Sequence, residues 1–131
     1  MADSPVIFLV DDDSDFLELE KSIFESRGWR VRCFTDSRAA FDACSAEPPA
    51  LVVSDLMMRN LDSGFSLARA VKADPQLARI PVIIVSAVSS QKGFDFHPRS
   101  AEDLAAMHAD AFFDKPVSAP QLLKKAEELL A

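Results

Sequence analysis

The sequence predicts an α/β domain, a doubly wound five-stranded parallel sheet with helices on both faces. Three observations predict it. Short apolar runs alternate five times with segments of helical periodicity. The first run, VIFLV, is continuous and β-branched, as a strand covered on both faces should be. The chain has 131 residues, which fits one domain, since single cores run to roughly 100–200 residues. Parallel strands need crossover connections, and these are right-handed, so the helices distribute over both faces.

Each element has its own signal. Val6 to Val10 is the first strand. Ser14 to Arg27 carries Phe16, Leu19 and Ile23 at three- and four-residue spacing, an amphipathic helix that Gly28 ends at a C′ position. Trp29 to Phe34 alternates as a strand. Asp36 then caps a helix whose inner face is Ala40, Phe41 and Cys44, closed by Pro48 and Pro49. Ala50 to Ser54 is the third strand; the helix after it buries Phe65, Ala68 and Val71 and stops at Asp74 and Pro75. Ile80 to Val85 is the fourth strand, with Pro81 near its start, where a missing N–H is tolerated. The polar and aromatic stretch SSQKGFDFHPR, Ser89 to Arg99, reads as a loop. Ser100 with Asp103 resembles a capping box that opens a short helix to His108, and Ala111 to Phe113 is a fifth short strand. Ser118 and Gln121 form a second box before a last helix lined by Leu122, Ala126, Leu129 and Leu130. Nothing marks a linker, so residues 1–131 are expected to form a single domain.

Composition excludes several functions. Apolar residues are 49% of the chain and charged ones 27%, the balance of a soluble globular domain. The net charge is −7, from 14 Lys and Arg against 21 Asp and Glu, which argues against direct binding of nucleic acid or an anionic membrane. Cys33 and Cys44 make no disulfide framework and are expected in the core. No basic region precedes the first apolar run, which is far too short to span a bilayer. No membrane insertion is expected, and the cytoplasm is the expected location.

In open α/β sheets ligands bind outside the carboxyl ends of the strands. The first strand delivers Asp11 and Asp12 there, the third Asp55, the fourth Ser86 and the fifth Lys115. Carboxylates that repel one another become favourable ligands for Mg²⁺, which takes one or two carboxylates together with carbonyls, waters and phosphate oxygens. A hydroxyl and an ammonium opposite the metal suit an anion, and a phosphoryl group bridging Mg²⁺ and Lys115 is the economical choice. Phosphoryl transfer needs in-line positioning and charge neutralisation, and these residue types supply both.

LVDDD, SDLMM, VSA and DKP, in this order and at successive strand ends, resemble the receiver domain of two-component response regulators. The resemblance covers essentially the whole chain and implies a flavodoxin-like (βα)5 fold with strand order 2-1-3-4-5. It implies that Asp55 is the phosphoacceptor and nucleophile, and that the phosphoryl group comes from the phosphohistidine of a sensor histidine kinase or phosphotransfer protein. Asp12 would be a direct Mg²⁺ ligand, Asp11 would act mainly through a metal-bound water, and the Met57 carbonyl would complete the set. Ser86 and Lys115 would hold phosphoryl oxygens. Ser86 and Phe112 would be the switch residues, biasing the surface of the helix over 100–108, the fifth strand and the last helix toward a separate downstream protein. Such a chain is a signalling receiver and not an enzyme, catalysing only its own phosphorylation and dephosphorylation. Asp13 is left to cap the first helix.

Departures from the pattern mark where this chain is individual. Arg59 stands where receivers commonly have proline, Ser63 intervenes between Asp62 and the glycine, and Phe112 replaces a frequent tyrosine. The loop from Ser89 to Arg99 is long and holds Phe94, Phe96 and His97, either as a binding surface or as a lid. In the family the positions two after the phosphoacceptor and two after the hydroxyl residue influence access of the attacking water; the resemblance puts Met57 and Val88 there, both apolar, so slow self-hydrolysis is expected. The chain stops just after its last helix, and no output domain is expected. Bland readings stand beside the sharp ones: Asp13, Asp36 and Asp62 as plain caps, His97 and His108 as polar surface, Phe112 and Phe113 as partly core. Two other functions fit some residues. A small haloacid-dehalogenase-type phosphatase would use Asp11 as nucleophile and Asp13 as acid, leaving Asp55 idle. A receiver-like scaffold that is never phosphorylated would leave all five residues idle.

Overall fold

Val6–Val10 forms β1, an interior strand of the sheet, and its last four residues are buried, as a strand covered on both faces requires. The computed structural model describes residues 5–55, 64–86, 109–114 and 117–130, with backbone alone for 64–66 and 86. β1 leads into α1, Ser14–Glu25, whose N-cap is Asp13. The Asp13 carboxylate accepts from the amides of Asp15 and Phe16 at 3.0 and 3.2 Å, satisfying donors that the first helical turn leaves open. Gly28, two residues past the C-cap Ser26, has φ +82°, and its amide donates to the Glu25 carbonyl at 2.9 Å. A Cβ there would meet nothing within 4 Å, so the left-handed backbone rather than crowding calls for glycine.

The inner face of α1 differs from the expected one. Leu17, Glu20 and Phe24 are buried, Phe16 and Ile23 pack half-buried beside them, and Leu19 is 49% exposed. Leu17 and Phe24 are two turns apart and share one side of the helix, and Phe24 meets the Trp29 ring at 5.8 Å. Leu19, off that side, is left in water.

β2, Arg30–Phe34, is an edge strand paired with β1 alone in a register from Val6↔Arg30 to Val10↔Phe34. An edge strand leaves side chains in water, which corrects the expectation for Cys33: it is exposed, whereas Cys44 is buried as expected. Arg32 lies over the Phe8 and Phe34 rings at 5.3 and 5.2 Å. α2, Ser37–Ala46, is capped by Asp36, which accepts from the Ala39 amide at 2.7 Å. It buries Ala40 and Cys44 and half-buries Phe41. β3, Leu51–Asp55, is buried along its whole length. α3, Gly64–Ala73, presents Ala68 and Val71 inward together with Leu67. β4 is Val82–Ser86 and β5 is Ala111–Asp114. α4, Ala119–Leu130, buries Leu122, Leu123 and Ala126, with Leu129 and Leu130 half-buried; Ser118 Oγ accepts from the Gln121 amide at 3.4 Å.

The sheet is parallel throughout in the order β2-β1-β3-β4-β5, the expected one. Strand alternation splits the core into two layers. Phe8, Val10, Val52, Val82 and Ile84 face α2 and α3, and Ile7, Leu9, Leu51, Val53, Ile83 and Val85 face α1 and α4. At the amino-terminal edge, Lys72 Nζ reaches the Ile80 carbonyl at 2.8 Å and the Asp110 carboxylate at 3.0 Å. That carboxylate also accepts from the Val82 amide at 2.8 Å, tying α3 to the start of β4 and β5. Among the described residues no helix is long and apolar enough to cross a membrane.

Candidate functional site

β1 and β3 are neighbours in register Val10↔Ser54, so the residues that follow in each strand, Asp11 and Asp55, emerge side by side at the carboxyl edge. Asp11 is 1% exposed and Asp55 7%; Asp12 is half-buried. Asp11 is held from two sides. Its amide donates to the Phe34 carbonyl of β2 at 3.0 Å, and its Oδ1 accepts from the Asp13 amide at 2.9 Å. Ser54, on the opposite face of β3, donates its buried hydroxyl to the Asp55 carbonyl at 3.0 Å.

One carboxylate oxygen from each of Asp11, Asp12 and Asp55 lies within 4.8 Å of the other two. Three like charges so close, two of them buried, oppose folding unless a counter-charge joins them. Hard oxygen donors suit a hard divalent cation. Mg²⁺ holds ligands at about 2.0–2.1 Å, so opposite ligands of one ion stand roughly 4.2 Å apart. An upper bound of 4.8 Å is near that span, so small side-chain movements or one intervening water accommodate the ion. The residues present therefore fit the group.

The remaining candidates fall on the same edge only as far as they are described. Ser86 ends β4, one strand from Asp55, and its backbone pairs with Asp114 of β5. Phe112 lies on β5 opposite Ile84, half-buried against the layer that faces α2 and α3. Lys115, Met57, Arg59, Asp62, Ser63, Val88 and the stretch from Ser89 to His108 lie outside the described residues. Asp13 takes the capping role, with its carboxylate engaged by two amides of α1. Unforeseen was the bond from its amide to Asp11, though an aspartate accepting from the amide two residues on is a common turn and the DDD run carries that signal.

Known proteins resemble this chain in sequence and fold. The chain is 30% identical over 126 residues to the transcriptional regulatory protein GltR of Pseudomonas aeruginosa, a match covering 95% of this chain and 48% of that protein. It spans about half the length of GltR, and 17%, 11% and 25% of three other curated relatives. Among solved structures, the receiver domain of a signal transduction histidine kinase from Syntrophus aciditrophicus superposes with TM-score 0.80 at 30% identity, over 97% of this chain and 90% of that one. The receiver domain of sensor histidine kinase PA1611 from Pseudomonas aeruginosa, whose active-site cleft coordinates a magnesium ion, shares the fold at TM-score 0.80 and 20% identity, over 97% of this chain and 98% of that one. The family model of the response regulator receiver domain matches residues 7–127, from the second residue of β1 to the last turns of α4, and the chain belongs to that family.

Proposed function

We propose that the chain is the phosphoacceptor of a two-component or phosphorelay system, with Asp55 as the phosphorylated residue. The observation that carries this reading is the convergence of Asp11, Asp12 and Asp55 at the ends of β1 and β3. An Asp55 carboxylate oxygen attacks the phosphorus of a phosphohistidine on a sensor kinase or phosphotransfer protein. The P–N bond breaks, its electron pair returns to that ring nitrogen, the histidine leaves as a neutral imidazole that keeps the proton already on its other nitrogen, and an aspartyl phosphate forms. Asp11, Asp12, Asp55 and the Met57 carbonyl are the residues that would hold Mg²⁺. When bound, the ion neutralises charge on the carboxylates and the phosphoryl oxygens. Ser86 and Lys115 take the phosphoryl oxygens that face away from the acidic cluster. Phosphorylation then biases Ser86 and Phe112, and through them a surface that binds a downstream protein. The reaction is its own switch in the cytoplasm, without turnover of a free substrate.

Intact mass after incubation with acetyl phosphate and Mg²⁺ tests this in the wild type, Asp55→Ala and Asp11→Ala. The expected result is a single phosphoryl adduct in the wild type that is absent from Asp55→Ala. An unmodified wild type would support the silent scaffold. Phosphate-ester turnover abolished by Asp11→Ala would make Asp11 the nucleophile and the chain a phosphatase.

A further inference from the structure

Asp13 stands apart from the three clustered carboxylates, yet it is joined to them by two sets of hydrogen bonds that run through one residue. Its amide donates to Asp11 Oδ1 at 2.9 Å, and its own carboxylate accepts from Asp15 and Phe16 at 3.0 and 3.2 Å. Its carbonyl accepts from the Leu17 amide at 3.1 Å. The backbone of Asp13 therefore links the two: the peptide on its amino side meets the buried Asp11 oxygen, and the one on its carboxyl side opens α1. On the far side, the Asp11 backbone amide donates to the Phe34 carbonyl at 3.0 Å, so the bond from the Asp13 amide is one that bears directly on the Asp11 carboxylate.

We infer that Asp13 is a positioning residue for the cation site: its capping carboxylate locks the peptide that aims Asp11, and it touches neither the cation nor the phosphoryl group. The inference rests on the proposed Mg²⁺ site. Coupling of this kind is reciprocal, so whatever factor the cap contributes to cation affinity, the cation returns to the first turn of α1. The factor cannot exceed the strength of the cap, which for an ordinary N-cap corresponds to about fivefold in an equilibrium constant. Asp13 is exposed, so its negative charge acts on the site across water and salt and contributes less than the cap does.

Mg²⁺ titration of the full chain, followed by amide NMR shifts, separates cap from charge. The variants are Asp13→Ala, which loses the acceptor, Asp13→Asn and Asp13→Ser, which keep one, and Asp15→Asn, which removes an equal charge in the same turn and leaves the Asp13 cap in place. The expected result is affinity reduced about fivefold in Asp13→Ala and restored to within about twofold of wild type in the other three. Hydrogen exchange at Asp15 and Phe16 should slow on Mg²⁺ addition in the wild type and not in Asp13→Ala. Equal losses in all four variants would overturn the inference in favour of charge alone, and no loss in any would overturn it outright, both leaving the proposed function intact. A wild type that does not bind Mg²⁺ would overturn the cation site and this role together.

Discussion

At the amino-terminal edge of the sheet, Lys72 and Asp110 meet at 3.0 Å, Lys72 also donating to the Ile80 carbonyl and Asp110 accepting from the Val82 amide, so opposite charges and backbone dipoles settle one another. At the carboxyl-terminal edge, three carboxylates crowd within 4.8 Å. The first arrangement stabilises the apo chain and asks for nothing from solution. The second brings like charges together, and it lies on the edge where parallel α/β sheets take ligands. The contrast separates charge that holds the fold from charge that the fold holds ready.

Three measurements break or sharpen that comparison. The largest effect is expected from Mg²⁺ itself. At about a hundredfold excess over Kd it should raise unfolding stability by about 2.7 kcal/mol, read by urea denaturation. Asp55→Asn should lose most of this gain, and the metal-free variant, with one of three crowded charges gone, tests whether their mutual repulsion outweighs the other interactions of Asp55. A metal-free Asp55→Asn less stable than wild type would mean that the carboxyl edge is as settled as the other. Next comes Asp110→Ala. It takes the acceptor from the Val82 amide and the partner from Lys72, and should cost about 1–2 kcal/mol, less than a buried pair because Asp110 is 36% exposed. That loss should be the same with and without Mg²⁺; a loss that depends on the ion would couple the two edges.

The smallest effect belongs to neither edge. Cys44 is packed between sheet and α2, and burial pushes its thiol up to about 11. A thiol is neutral when protonated, so between its ordinary value and about 11 the folded chain binds more protons than the unfolded one. Stability contributed by Cys44 is therefore complete at neutral pH and falls as pH rises through that window. Cys44→Ala should flatten the alkaline limb of a stability-against-pH curve and change nothing in Mg²⁺ binding.

The sequence made the carboxyl edge legible because strand ends are easy to see. Asp11 and Asp55 each close an apolar β-branched run, and a parallel sheet delivers such ends to one place. The brace at the other edge was not legible. Lys72 and Asp110 are 38 positions apart, and no motif links an ammonium at a helix end to a carboxylate ahead of a strand. The α1 inner face was misread because two stripes, through Leu19 and through Leu17 and Phe24, both have helical spacing, and a glutamate at position 20 disguises the buried one. Cys33 was misplaced because alternation tells which residues share a face but not that the strand lies at an edge. Strand order, with β1 and β3 adjacent, came from the receiver resemblance and not from periodicity.

The adjacency of β1 and β3 also sets a clock. Asp11 and Asp55 belong to segments that meet only when a parallel pair closes across β2 and α2, a contact of long sequence separation and so among the slower ones to form. Cation binding during refolding can appear no earlier than that closure. The acidic cluster is thus a built-in reporter of when the centre of the sheet is complete, and an ion held there acts mainly by slowing the sheet's reopening.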